Sequence, residues 1–386
     1  MGYDAILIGA GFSGAVCARR LAEEGKKVLV LEARDHIGGN AYDCYDAAGV
    51  LIHRYGPHIF HTADKRVFDF LSRFTDWNGY HHEVVANVHG DMVPVPFNLV
   101  SLHRVFPPQE AAALEEKLLA GFGRDTKVPI LQLRESADAD LRRLADYVYE
   151  NVFVTYTMKQ WGLKPEEIDP NTTARVPVFI GTDCGYFTDP YQGLPTDGYT
   201  AIFERMLTHE NITVELNTPA QSRMCFTDGT ITLDGTAFGG TVIYTGAVDE
   251  LFDCRFGRLP YRALDFLFET LEQDYFQTHG TVNYTVSEDY TRITEFKHMT
   301  LQSLSGKTTI CKEFSRAYTG ENGDIPYYAI INDENNALYE RYAALAGEFA
   351  NLHLLGRLAE YRYYNMDAIV ACALALCDAL GKERQT

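Results

Sequence analysis

The chain reads as a mixed α/β protein: a discontinuous Rossmann-like domain that carries a helical domain and an antiparallel β-sheet domain. Three observations lead there. The N-terminus runs strand, glycine turn, helix, strand; the middle shifts from a helical pattern to alternating β-branched and aromatic residues; and the C-terminus returns to strand and helix. Apolar strands of one kind at both ends of a chain belong in one sheet, with the intervening layers inserted.

Asp4 to Ile8 is a short apolar run of the kind found in buried parallel strands. Gly9-Ala10-Gly11-Phe12-Ser13-Gly14 follows, then a helix from about Ala15 to Glu24, and a second apolar strand, Lys27 to Leu31, ending at Glu32. Val84 to Val88 and Met92 to Phe97 flank a His89-Gly90-Asp91 turn and predict a hairpin. From Pro107 to about Trp161 the pattern is helical, with Pro107 and Pro108 where a first turn tolerates them. Residues 162–197 carry little periodicity and predict a long loop. Gly198 to Thr208 predicts a helix, and Ile212 to Leu216 and Thr241 to Tyr244 predict strands that rejoin the first sheet. Tyr261 to Ser315 alternates as an antiparallel sheet does. A helix near 334–349, a strand at Leu352 to Leu355, a turn at Gly356 and a last helix from Met366 complete the chain. The expected domains are 1–80, 198–255 and 333–386 for the Rossmann-like part, 98–197 for the helical part, and 81–97 with 256–332 for the sheet.

Composition narrows the function. The 386 residues include 34 basic and 53 acidic side chains, a formal charge of −19 that repels nucleic acid and anionic membranes. Any anion site must rest on a few local arginines or on helix N-termini. Eight cysteines stand without a C-x-x-C pair, which argues against zinc and fits free thiols in a reducing cytoplasm. His58 and His61 have no third ligand at a metal-binding spacing. The most apolar late segment, Ala368 to Leu380, is interrupted by Asp378 and reads as a buried helix, and no leader precedes the first strand. A cytoplasmic enzyme without membrane or nucleic-acid partner is expected.

The glycine run carries chemistry. Gly9 and Gly11 permit a tight turn and the close approach of a pyrophosphate to the helix N-terminus, Gly14 lets helix and strand pack, and Glu32 suits a ribose diol. Arg34-Asp35-His36-Ile37-Gly38-Gly39-Asn40 continues with a second glycine pair, an extension that resembles FAD-dependent amine oxidases and their relatives. FAD is therefore expected, with NAD the lesser alternative.

Five later segments are more specific: Gly56-Pro57-His58-Ile59-Phe60-His61-Thr62, Tyr156-Thr157-Met158-Lys159-Gln160-Trp161-Gly162, Tyr191-Gln192-Gly193-Leu194-Pro195-Thr196-Asp197-Gly198-Tyr199-Thr200, Tyr290 to His298, and Gly356 to Asp367. Together they resemble the prokaryotic UDP-galactopyranose mutases over essentially the whole chain and in the same order. The resemblance implies interconversion of UDP-galactopyranose and UDP-galactofuranose, with N5 of reduced FAD as the nucleophile, by an isomerase expected to be a homo-oligomer. No Ser-His-Asp or paired-carboxylate arrangement stands out, as expected where the cofactor supplies the nucleophile.

The resemblance also implies roles. Arg175 and Arg292 grip the diphosphate, the first from a mobile loop, and with His61 beside the flavin they form the catalytic set. Tyr186, Tyr327 and Tyr363 bind phosphate oxygens, Tyr156, Thr157 and Trp161 the uridine side, and Asn365 lies with the substrate residues. The cofactor set is Gly9, Gly11, Phe12, Ser13, Gly14, Glu32, Ala33, Gly39, Asn40, His58, Gly356, Arg357, Tyr364, Met366 and Asp367. Read without the family, Arg175 is a solvated loop arginine, Arg292 a cross-strand partner of Glu295 or Asp289, and the tyrosines and Trp161 ordinary packing. The five-residue spacing of Tyr156 and Trp161 implies that a helix ends or turns between them. One departure stands out: the family's uracil-stacking Phe, four residues before Tyr156, is Val152 here, with Phe153 next in line. A flavin oxidoreductase of the amine-oxidase type, and a mutase for the N-acetylated sugar, are the alternative functions.

Overall fold

The computed structural model describes residues 2–162, 177–321 and 323–382. Its centre is a five-stranded parallel sheet in the order Ile212–Glu215, Val28–Leu31, Ala5–Ile8, Thr241–Tyr244, Leu352–Leu354. The inner strands are apolar at nearly every position because both faces are covered. Ala5 and Leu7 face the helices Phe12–Glu23, Tyr199–Leu207 and Met366–Lys382, while Ile6 and Ile8 face the opposite core under the helix Asp333–Ala346. Small residues let the first and last helices lie close, and Cys17 Sγ reaches the Ala373 carbonyl at 3.7 Å.

Glycine position matters most at Gly198. Its φ is +86°, and a Cβ there would sit 2.6 Å from Asp43 Oδ2. Asp43 needs that room, because its carboxylate accepts the Tyr199 and Thr200 amides at 2.6 and 2.8 Å and so caps the helix Tyr199–Leu207.

The second sheet has seven strands, ordered Tyr328–Ala329, Tyr261–Leu271, Thr308–Ala317, Arg292–Glu295, Thr281–Tyr284, Val84–Val88, Asp91–Val95. The hairpin is the expected one, turning through His89 and Gly90, both at positive φ as a two-residue turn requires. It joins the sheet by a parallel pairing, Val84–Val88 with Thr281–Tyr284, so the sheet is mixed where antiparallel strands were expected. Strands so far apart in sequence are joined by a long crossover, which permits either direction.

The helical layer runs Leu99–Val105, Pro108–Phe122, Ile130–Arg134 and Ala139–Val148, then a π-helical turn at Tyr149–Val154 that leads into Thr155–Trp161. Pro108 occupies the first turn of its helix, as read from the sequence. Thr285 Oγ1 donates to the Asn151 carbonyl inside the π turn at 2.5 Å. The expectation of a break between Tyr156 and Trp161 is corrected: one helix carries both and stops at Gly162, φ +65°. The expected loop holds two short strands, Pro177–Phe179 paired with Lys127–Pro129 and Tyr191–Gly193 paired with Phe60–Thr62. Arg175 lies outside the described residues. Among the described residues no helix is long and apolar enough to cross a membrane, and no cluster of three or more His, Cys, Asp or Glu could hold a metal.

Candidate active site

A cleft of about 730 Å³ opens where the first parallel strands end, walled by Gly9 to Gly11, Ser13, Glu32 to Arg34, Gly39, Asn40, Thr245 to Ala247 and Gly356 to Leu358. The glycines divide by cause. Gly9 has φ +107°, and a Cβ would meet Thr245 Oγ1 at 2.1 Å; a Cβ on Gly14 would meet the Gly9 carbonyl oxygen at 1.9 Å. Those two are demanded by the fold. Gly11 is not: a Cβ there would stay 3.7 Å from its nearest neighbour, Gly39 Cα. Gly11 is also the N-cap of a helix that has no side-chain cap, so its first-turn N–H groups are free to face an anion.

Around this cradle the polar groups are pre-set. Glu32 is buried, and its carboxylate accepts the Ala10 and Arg34 amides at 2.8 and 2.9 Å, which fixes it at the cleft wall. Arg34 donates Nη2 to Asn40 Oδ1 at 2.9 Å and stacks 4.6 Å over Tyr55, while its buried Nη1 has no partner among the described residues. The Gly38 amide donates to the Ala10 carbonyl at 2.9 Å and docks the second glycine pair onto the first.

The C-terminal turn closes the far side. Gly356, φ +121°, lies so near the first helix that a Cβ would reach Ser13 Oγ at 3.1 Å. Glu360 braces the turn, accepting the Gly356 amide at 2.8 Å and the Tyr364 hydroxyl at 3.0 Å, while Arg357 Nε donates to the Tyr364 carbonyl at 2.7 Å. Asp367, in the first turn of the last helix, accepts the Thr62 hydroxyl at 3.0 Å, which ties in the strand that bears His61. Burial pushes the His58 imidazole down to about 3, helped by neighbouring His53, so His58 is neutral and Nδ1–H donates to the Gly56 carbonyl at 2.9 Å. His61 stacks on Phe187 at 3.6 Å and meets Asp189 at 2.7 Å.

A cationic, tyrosine-rich wall stands on the second sheet. Arg292 gives Nε and Nη2 to the two oxygens of Glu313 at 3.0 and 2.9 Å. Its Nη1 makes no hydrogen bond to the described residues. Burial raises the phenols of Tyr156 and Tyr328, and the guanidinium of Arg292 works against that rise in both. Trp161 lies 6.1 Å from Tyr328, Tyr328 lies 6.2 Å from Tyr363, and Arg357 sits 4.7 Å over Tyr363. Tyr186 and Tyr363 remain 41% and 61% exposed, unusual for tyrosines in so aromatic a cluster, and form its rim.

Comparison with known proteins fits this arrangement. Residues 151–363 match the UDP-galactopyranose mutase family, and residues 7–74 match an NAD(P)-binding Rossmann-like domain. UDP-galactopyranose mutase of Mycoplasma pneumoniae is 35% identical, covering 98% of this chain and 96% of its own. The chain belongs to the UDP-galactopyranose mutase family. A dTDP-fucopyranose mutase of Escherichia coli is 37% identical over 96% of each chain. A crystal structure of reduced UDP-galactopyranose mutase superposes with a TM-score of 0.71 at 16% identity, covering 99% of this chain and 94% of that one.

Within this mutase-family fold the residues anticipated from sequence separate into groups. Gly9, Gly11, Ser13, Glu32, Ala33, Gly39, Asn40, Gly356 and Arg357 line one cleft. Phe12 turns away into the core against Phe203, 4.7 Å between ring centres, and Met366 packs on the same core. Tyr156, Trp161, Tyr186, Arg292 and Tyr363 gather at the second wall, with Thr157 buried beneath it. Asn365 is exposed and its carbonyl accepts the Ile369 amide. Tyr327 faces Phe266 and the Arg34 side of the cleft, and its neighbour Tyr328 takes the place by Trp161 and Tyr363. Arg292 does pair across strands, with Glu313 and not with Glu295 or Asp289. Val152, at the family's aromatic position, is 6% exposed and packs with the core of the helical layer. Sequence reasoning passed over Tyr328, Glu313, His82 and Asp189; the adjacency of Tyr328 to Tyr327 was the one available signal.

Proposed function

We propose that the chain interconverts UDP-galactopyranose and UDP-galactofuranose with reduced FAD in the glycine cradle. One observation carries the reading: Arg357 lines the dinucleotide cleft and also lies over Tyr363 and within 5.9 Å of the Tyr328 ring, so cofactor cleft and cationic wall are one site. The fit to a dinucleotide rests on Gly11, where the fold would admit a Cβ without a clash, and on Nη1 of Arg34, which has no partner among the described residues.

When bound, reduced FAD supplies an electron-rich N5 to displace UDP at the anomeric carbon, a ring contraction with no net electron transfer. The chain's own residues do the rest. First-turn amides of the helix Phe12–Glu23 hold the pyrophosphate, and Glu32 accepts from a ribose diol. Arg292 turns Nη1 to the substrate diphosphate with its plane fixed by Glu313, and Arg175 joins it. The hydroxyls of Tyr156, Tyr186, Tyr328 and Tyr363 donate to phosphate oxygens. Tyr156 and Trp161 flank the uracil. These groups neutralise charge that grows on departing UDP, in a protein whose net charge of −19 offers none. The reading includes a cytoplasmic, homo-oligomeric enzyme.

The test is product analysis from UDP-galactofuranose with oxidised and dithionite-reduced holoenzyme, alongside dTDP-fucofuranose and the N-acetylated sugar. UDP-galactopyranose formed only under reduction, and fastest from the unmodified sugar, is the expected result. Equal turnover in both redox states, or peroxide release from an amine, overturns it.

A further inference from the structure

We propose that Asp189 is a positioning residue that holds His61 as its Nδ1–H tautomer and so presents Nε2 as an acceptor toward the cofactor side of the site. What Nε2 meets rests on the function proposed above; the tautomer does not.

His61 Nδ1 lies 2.7 Å from Asp189 Oδ2, across 128 residues of sequence. A carboxylate only accepts, so the proton of that bond belongs to Nδ1, and in the neutral ring Nε2 keeps its lone pair. A free imidazole has no such constraint. Three further contacts fix the ring. His61 sits in the strand Phe60–Thr62, directly opposite Gln192 in the antiparallel pairing. Gln192 Nε2 returns to the Asp189 carbonyl at 3.3 Å and holds the intervening turn, whose centre is Pro190. Phe187 covers one face of the imidazole, 3.6 Å between centres and 12° from parallel.

The side chains are 15% and 30% exposed, so the pair is sheltered from water without being sealed in. His82, which acts on this ring, is buried and neutral. It contributes no competing charge, and among the described residues Asp189 is the hydrogen-bond partner of the ring. Next to His61, Thr62 is bound to Asp367 at the start of the last helix, so the strand bearing the ring is anchored to the element that follows the cleft-lining turn Gly356 to Leu358.

The experiment is two-bond 1H–15N NMR of 15N-histidine holoenzyme, with the His61 signals assigned from His61→Asn. Wild type should show Nδ1 protonated and Nε2 bare. Asp189→Asn, whose amide oxygen still accepts, should keep that pattern; Asp189→Leu should reverse it toward Nε2–H. In parallel, Asp189→Leu should lower kcat about tenfold with KM changed less than twofold, as loss of a histidine's orienting partner does elsewhere, and Asp189→Asn should recover most of the rate. An unchanged tautomer in Asp189→Leu overturns the proposal, and so does a reversed tautomer with undiminished kcat. If Asp189→Leu does not fold, Asp189→Ala, which also lacks a side-chain acceptor, gives the same readout. Absence of mutase turnover in wild type would refute the proposed function while leaving the NMR result to judge the dyad.

Discussion

Arg292 and Glu313 face each other on adjacent strands, two parallel hydrogen bonds joining one guanidinium to a carboxylate that is 2% exposed. The pair has two separable jobs. Arg292→Ala strands a buried carboxylate, which costs about 3–5 kcal/mol of stability, and, on the function proposed above, removes a diphosphate donor, which costs on the order of a hundredfold in turnover. The double variant Arg292→Ala with Glu313→Ala should regain part of the stability and none of the rate. Urea midpoints and kcat on FAD-loaded protein measure the two separately, and recovery of both together would contradict a role at the diphosphate.

Gly11 and Gly14 should fail differently. A methyl at Gly14 collides with the Gly9 carbonyl, so Gly14→Ala should unfold the nucleotide half. A methyl at Gly11 stays at ordinary contact distance, 3.7 Å from Gly39 Cα, so Gly11→Ala should keep the melting temperature of the apoprotein and lose FAD. Flavin absorbance beside thermal melts of apoprotein decides the matter. Normal flavin content in Gly11→Ala would remove the pyrophosphate from this turn.

Acid should loosen the fold around the histidines. Burial lowers His53 and His58 from 6.5 to about 3, and His53 Nδ1 accepts the His58 amide, which a protonated nitrogen cannot do. Between those values the unfolded chain binds more protons, so stability is whole above pH 6.5 and falls as pH drops toward 3, by up to about 1.4 kcal/mol per pH unit for each ring. Urea unfolding from pH 7.5 to 4.5 should show this slope, and His53→Asn, which keeps an acceptor, should make it shallower.

Restoring the family's aromatic at Val152 should not tighten nucleotide binding. Val152 sits among Leu144, Val148 and other core side chains of the helical layer. Val152→Phe should overpack that core and cost about 1–3 kcal/mol, read as a lower urea midpoint. Tighter UDP binding at unchanged stability would mean that the side chain turns toward the site.

What could be read from sequence was whatever chemistry is local. The glycine spacing, the acid after the second strand and the apolar runs of the parallel sheet depend on neighbours in the chain, and the cleft formed where they pointed. The second wall depends on register. Tyr328 opens the strand Tyr328–Ala329 and Tyr327 precedes it, and only the pairing of that strand, Arg262 opposite Tyr328, decides which of the two reaches Trp161. Glu313 becomes the partner of Arg292 for the same reason, ahead of the nearer Glu295. The π turn before Tyr156 has no local signature, so the rotation that buries Val152 could not be foreseen.

The strand order of the central sheet also sets a timetable for synthesis. Ala5–Ile8 leaves the ribosome long before Thr241–Tyr244, one of its two flanking partners, and one edge of the sheet, Leu352–Leu354, comes still later. The helix Met366–Lys382, which covers the same face as the first helix, is last of all. A nascent chain therefore carries an open apolar face through most of translation, and long-range pairing of this kind is slow to form. The glycine cradle cannot be complete before Gly356 emerges to lie against Ser13, so any ligand of the cradle must wait for a turn made late in synthesis.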